Sequence, residues 1–359
     1  MSVIMRNISG GGSSSSSKGF PPGDVTNISV RSGNKCVKLK WTDPDPSIYN
    51  GATLSTWSST IIVRKEGSAP TSIKDGTVVL TNTTKNKYKD TEFTDNNVVV
   101  GKTYYYRFYA TSTDKVYNDS TSMIKSTKVL AVDSILKNNT WEVINIASES
   151  GIASSLWNIG DEIDITLSGT YNETITLQIW DFNHFDKSDG SGKAGICFGM
   201  KHLMKNTRDM NNYNVNRGGW NDTDMKETAM TNIYNSMPSD LQSYIKEVNT
   251  YANEGGGVFS FNAGKLSKDK VFLPGLTEID NNWSNQNNSE SGQKQFPIFT
   301  DDNSRIKKLS NGNGSAQWWW TRSPYYDSNG DFCIANANGS TYHGGAGSTA
   351  YGICFCFNI

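Results

Sequence analysis

In Lys35-Cys36-Val37-Lys38-Leu39-Lys40-Trp41 apolar and polar positions alternate from Val37 onward, so Val37, Leu39 and Trp41 share one side of a strand and Lys38 and Lys40 the other. A longer run from Val100 to Ala110 places Tyr104, Tyr106, Phe108 and Ala110 on one face, and Lys74-Asp75-Gly76-Thr77 supplies an Asp-Gly turn ahead of a Val-rich strand. Residues 20–132 therefore read as short strands punctuated by turns. After a connector over 133–140, Trp141 opens a second domain running to 359. There Glu162–Leu167 and Thr174–Asp181 alternate as a hairpin with one wet face. Helical spacing follows: Asp222 or Thr223 can cap a helix carrying Met225, Ala229, Ile233 and Tyr234. Pro238 can start another carrying Leu241, Tyr244, Ile245 and Val248. From Gly255 to Gly314 regular patterning fades to long loops, with Lys270–Leu273 and Phe296–Phe299 as the clear apolar stretches. Ile353-Cys354-Phe355-Cys356-Phe357 reads as a buried last strand.

Composition narrows the function classes. The formal net charge is −1 with both signs scattered, which gives no basic stripe for nucleic acid or an acidic membrane. Aromatic residues make up 11% against 19% charged, a balance that suits β-rich contact surfaces. The first residues carry too short an apolar run for a secretory signal, and no stretch reaches membrane-spanning length, so neither general export nor membrane insertion is expected. Residues 1–19, including Gly10 to Gly19, read as a flexible Gly/Ser tether. The five cysteines, Cys36, Cys197, Cys333, Cys354 and Cys356, sit mostly in apolar runs and read as reduced core residues.

The segment Tyr325 to Tyr351 holds no Lys, Glu, Gln, Met or Trp. Such a stretch can be an ordinary Gly/Ser/Asn-rich surface loop. Equally, its residue types are those reachable from an Asn codon by changing its two adenines. It is bracketed by Trp318-Trp319-Trp320-Thr321-Arg322-Ser323-Pro324 and by the apolar last strand.

That bracket, with Phe332-Cys333-Ile334-Ala335-Asn336 and Gly352-Ile353, resembles the C-type-lectin-fold variable domains targeted by diversity-generating retroelements in bacteria and their phages. Gly160-Asp161-Glu162, Trp180-Asp181-Phe182-Asn183-His184 and Ser188 through Ile196 extend the resemblance over roughly residues 141–359. Upstream, Trp41 and Tyr104 match the core tryptophan and corner tyrosine of a fibronectin type III-like domain. The resemblances together imply an all-β fibronectin type III-like sandwich followed by an α+β C-type-lectin-like domain. They imply a receptor-binding protein of a phage or prophage tail tip, resident in the virion tail. Its head would bind a bacterial cell-surface protein or glycan, and its N-terminus would join other tail proteins. Homo-oligomerisation stays open, since no coiled-coil heptads are present.

By the same resemblance the exposed, variable, ligand-binding positions are Tyr325, Tyr326, Asp327, Asn329, Asp331, Ile334, Asn338, Thr341, Tyr342, His343, Gly344, Gly345, Gly347 and Tyr351, with Tyr325, Tyr326 and Tyr342 as anchors. Arg322, Pro324, Phe332 and Cys333 belong to the frame, and Trp318 to Trp320 supply core burial. A cell-associated bacterial adhesin carrying the same head is an alternative.

Chemistry is sparse. His184, His202 and His343 lie far apart, and none clusters with Cys or carboxylates at zinc-ligand spacing. His184 suits a structural hydrogen bond. Asp327-Ser328-Asn329-Gly330-Asp331 begins like a calcium loop, but Phe332 replaces the tight-turn Gly and Asn338 the bidentate Glu. Formylglycine-generating oxidases share the broader fold and use paired cysteines. Cys354 and Cys356 lack cationic neighbours in sequence that would lower a thiol pKa, so no catalytic residue, metal or cofactor is assigned.

Overall fold

The computed structural model describes residues 19–256, 264–282, 290 and 293–359. The tether expected over residues 1–19 lies outside these, Gly19 excepted. The chain divides into two compact units, Met1–Ala131 and Val132–Ile359.

The first unit is all-β. Its strands are β1 (Thr26–Gly33), β2 (Cys36–Thr42), β3 (Ser47–Tyr49), β4 (Ala52–Ser55), β5 (Trp57–Glu66), β6 (Thr77–Asn82), β7 (Phe93–Asp95), β8 (Thr103–Ser112) and β9 (Ile124–Lys128). Two antiparallel sheets, ordered β1-β2-β7 and β6-β5-β8-β9, close over one core, and β3-β4 forms a separate hairpin. The predicted alternation is what fills that core: Val37, Leu39 and Trp41 from one sheet meet Tyr106, Phe108 and Ala110 from the other. Trp41 packs against Tyr88 and Phe108 with ring centroids 4.7 and 5.5 Å away, and its indole N–H donates to Asp43 at 2.8 Å. Asp43 is itself buried and also accepts from the Thr60 hydroxyl and the Asn86 amide, so the polar tip of the tryptophan is fully provided for.

The second unit mixes helices with three sheets. The expected 133–140 linker is instead its folded leading edge: Leu136 is buried, Trp157 donates its indole N–H to Asp133 O, and Asn139 staples Asp133 and Ile135. Thr140 then caps helix α1 (Trp141–Glu149). Strands β10 (Glu162–Leu167) and β11 (Glu173–Phe182) form the predicted hairpin, with Ile163, Ile165, Ile175 and Leu177 inward and Asp164 and Thr166 outward. Strand β12 (Ile196–Met200) continues the sheet. The predicted helix starting near Asp222 appears as a π-helical turn at Met225–Met230 running into α2 (Thr231–Ser236).

The second predicted helix is cut short after one turn. Only α3 (Ser239–Gln242) forms after Pro238, and Val248 opens β13 (Val248–Ala252), paired with β14 (Lys265–Asp269). An extended chain buries Ile245 and Val248 as well as a helix would, and the Lys246 amide is taken by Asn358 O. Tertiary pairing therefore overrides the short helical stripe. The Gly255–Gly314 region also carries more regular structure than its weak pattern predicts: besides β14 it holds β15 (Val271–Phe272), α4 (Leu276–Ile279) and α5 (Asp302–Arg305). Strands β16 (Trp319–Pro324), β17 (Asp331–Ala335) and β18 (Thr341–Gly345) make a three-stranded sheet. The last strand, β19 (Cys356–Asn358), lies inside the main sheet, ordered β10-β11-β12-β19-β15.

A buried ion pair fastens β16 to its surroundings. Arg322 and Glu278 are both fully buried and meet through two parallel N–H to carboxylate bonds. The remaining guanidinium donors reach Tyr251 O, Leu273 O and Gln293 Oε1 at 3.2, 3.0 and 2.7 Å. Burial alone would lower the guanidinium pKa, but the adjacent Glu278 charge outweighs it and holds the group above its ordinary value. Arg322→Met would strand the Glu278 carboxylate and is expected to cost about 3–5 kcal/mol in the urea unfolding of this unit. Arg322→Met combined with Glu278→Leu is expected to recover much of that loss. A single replacement that changes stability by under about 1 kcal/mol would remove the pair from its structural role.

Candidate functional site

The sheet β16-β17-β18 forms the frame of the candidate site. Trp319 and Trp320 are fully buried, and their indole N–H groups donate to Arg305 O at 3.0 Å and Arg208 O at 2.8 Å. Trp318 departs from the expectation that all three tryptophans are core: it is 40% exposed and stacks on Tyr351 at 5.7 Å. Arg322, Pro324, Phe332 and Cys333 are buried in the frame as predicted.

The fourteen predicted positions separate by burial. Asp327, Asn329, Asn338 and Tyr342 are exposed. Tyr325, Tyr326, Asp331, Thr341, His343, Gly345, Gly347 and Tyr351 are half-buried. Ile334 and Gly344 are buried, against expectation. Ile334 lies on β17, the central strand of its sheet, where Phe332, Cys333 and Ala335 are buried with it, so both faces of the strand are covered. At Gly344 a β-carbon would stand 2.5 Å from the Tyr351 hydroxyl; the absence of a side chain there is what lets Tyr351 lie across the sheet, edge-on to Trp320 at 4.5 Å.

Aromatic rings join across the exposed side. Tyr325 stacks on His343 with centroids 4.0 Å apart and planes 2° from parallel; His343 continues to Tyr342 at 4.4 Å, and Tyr325 meets Tyr326 at 5.1 Å. The His343 Nδ1 is 2.8 Å from the Asp331 carboxylate, which fixes the ring's orientation. Thr341 donates to Asp280 at 2.9 Å. Of the three predicted anchors, Tyr342 projects furthest, at 51% exposure.

Sequence reasoning passed over the segment that braces these loops. The Asn216 side-chain amide, fully buried, donates to Ser328 O and Asp331 O at 2.7 and 2.8 Å, and the Asn216 backbone amide donates to Asn329 O. Asn214 accepts from the Gly347 amide at 2.8 Å, and the Met210 and Asn211 amides both donate to Ala346 O. The available signal was Asn211-Asn212-Tyr213-Asn214-Val215-Asn216, an amide-rich run without helix or strand periodicity, whose side chains can satisfy loop backbone.

Other candidate chemistry resolves structurally. His184 Nδ1 lies 2.8 Å from Asp181, and its ring stacks on Phe296 at 4.2 Å. Cys197, Cys333, Cys354 and Cys356 are buried free thiols. Burial pushes Cys354 up to about 11 although Lys307 beside it pulls the other way, and Cys356 is likewise raised by burial. Such thiols carry little thiolate near neutral pH and are poor nucleophiles. Among the described residues, no group of three His, Cys, Asp or Glu side chains is placed to hold a metal ion, and no helix is long and apolar enough to cross a membrane.

Because one side chain holds the Tyr325–Asp331 turn, Asn216→Ala is expected to cost about 1–3 kcal/mol and to speed amide hydrogen exchange at residues 325–331 selectively. Unchanged exchange in that turn would show that the brace is dispensable.

Residues 195–359 match a family described as a domain of unknown function, DUF6273. No curated protein matches the chain. Among solved structures, the third fibronectin III domain of the human KIAA0343 protein aligns at 13% identity over 35% of this chain and 96% of that one, with a TM-score of 0.25.

Proposed function

We propose that this chain is a ligand-recognition protein of the phage or prophage tail-tip type. In this reading a fibronectin type III-like spacer carries a C-type-lectin-like head that grips a molecule on a bacterial surface. The spacer assignment is supported by the β1-β2-β7 and β6-β5-β8-β9 strand orders, by Trp41 in the core, and by the Tyr104 hydroxyl accepting from the Val99 amide across a strand corner. The head assignment is supported by a main sheet that the last strand enters from the interior, beside a second sheet carrying the bracketed segment.

One observation carries the functional reading. Asp327, Asn329, Asn338 and Tyr342 project from turns and a strand whose support, Trp319, Trp320, Arg322, Phe332 and Ile334, is buried beneath them. Side chains at the tips can change at small cost in stability because the burial that stabilises the frame comes from other residues. The buried, high-pKa thiols favour binding over oxidase chemistry.

The corrected contact set is smaller than the fourteen positions of the resemblance: Ile334 and Gly344 leave it. Tyr342→Ala together with Asp327→Ala is expected to shift the melting temperature by no more than about 4 °C while abolishing attachment to the cognate cell. Retained attachment, or a collapse in melting temperature, would overturn the reading.

A further inference from the structure

The brace over residues 211–216 does more than hold the loops: it raises its own ring beside them. The Val215 amide donates to Tyr213 O at 2.8 Å, a tight turn that sets Tyr213 at the tip with 77% of its surface exposed and Val215 at 46%. Both flanks of this tip are tied to the bracketed segment, through the Asn211 amide to Ala346 O before it and through Asn214 to Gly347 and Asn216 to Ser328 and Asp331 after it. The seat requires small residues opposite. A β-carbon on Gly345 would stand 2.8 Å from the Asn214 side chain. Gly345 and Asp331 are cross-strand partners, so the tip docks on the side of β17-β18 that also carries the His343–Tyr325 stack. A large aromatic side chain held in water on an immobilised loop contributes contact area at little entropic cost on binding.

We propose, building on the recognition role above, that the contact surface extends beyond residues 325–351 to this loop, with Tyr213 as a binding residue, and that the composite surface takes an uncharged glycan. The charge pattern selects the ligand class. Residues 325–351 contain two carboxylates, Asp327 and Asp331, and no Lys or Arg, and residues 211–216 are uncharged. Asp331 is engaged by His343. A phosphate- or carboxylate-rich polymer would meet the exposed Asp327 carboxylate and, at the edge of the loop, the exposed Arg217, which together offer it no net counter-charge. The one aliphatic side chain larger than Ala in residues 325–351 is Ile334, and it is buried, so apart from Val215 on the neighbouring loop the composite surface offers rings, amides and hydroxyls rather than aliphatic anchors for a peptide. Rings pack against the C–H faces of pyranoses, while Asn329, Asn338 and Asp327 can donate to or accept from vicinal hydroxyls.

The test uses the full chain on an array of immobilised neutral and anionic bacterial oligosaccharides, with cell attachment measured in parallel for wild type, Tyr213→Ala, Tyr213→Trp and Tyr342→Ala. The expected result is binding to neutral sugars, weakened about tenfold or more by Tyr213→Ala and by Tyr342→Ala, and kept by Tyr213→Trp, with melting temperatures unchanged. If Tyr342→Ala loses attachment and Tyr213→Ala does not, the surface ends at residue 325 and this inference fails while the recognition role stands. If neither variant alters attachment, the recognition role itself fails. Binding confined to anionic sugars, or to a protease-sensitive cell component, overturns the glycan assignment.

Discussion

The second unit depends on a charge that cannot leave. Arg322 sits in the middle of β16 with no solvent contact, and five acceptor atoms from four other parts of the chain converge on it: both Glu278 oxygens, Tyr251 O, Leu273 O and Gln293 Oε1. Transferring a guanidinium from water is costly unless each donor is matched, so this geometry forces the chain around residues 251, 273, 278 and 293 to meet at one point. In the stretch from Gly255 to Gly314, poor in regular pattern, Leu273, Glu278 and Gln293 are positioned by that requirement. Lys307 works in the same manner deeper in the unit: its ammonium donates to Met200 O and Lys201 O beneath the faces of Trp180, Phe299 and Trp319. Two buried cations thus organise parts of the core for which the apolar residues alone give little direction.

On this base burial around β16-β17-β18 is graded. Phe332, Ile334, Trp319 and Trp320 are fully buried, and the His343–Tyr325 stack with Tyr351 forms a half-buried middle layer. Tyr342, Asp327, Asn329 and Asn338 are exposed. The middle layer is neither core nor free surface; its rings are held in place by one another and by Asp331. Rings ordered in this way lose little further freedom when a ligand arrives, which is where preorganised sites gain affinity.

What the sequence made legible follows from the range of the interaction. The alternations at Val37–Trp41, Tyr104–Ala110, Glu162–Leu167 and Thr174–Asp181 are local, and all four became strands with the predicted faces inward. The stripe Leu241, Tyr244, Ile245, Val248 has helical spacing, yet the helix stops at Gln242 and the Lys246 amide pairs with Asn358 O, a partner distant in sequence that no local pattern announces. Ile334, exposed by the resemblance, is buried because β17 is the central strand of its sheet and is covered on both faces, a property set by its neighbours rather than by its own run of residues. The Asn211–Asn216 run is visible as an amide-rich stretch, but what it braces is not, because the partners are backbone carbonyls more than a hundred residues away.

The contact between Gly344 and Tyr351 means that these two positions are a single unit of inheritance. A residue with a β-carbon at 344 requires the Tyr351 phenol to shift from its place edge-on to Trp320. A library built on this frame would therefore hold fewer viable members than the product of its positions. Those that survive would fall into two lineages, one with glycine at 344 under a tyrosine and one that has rebuilt the whole corner.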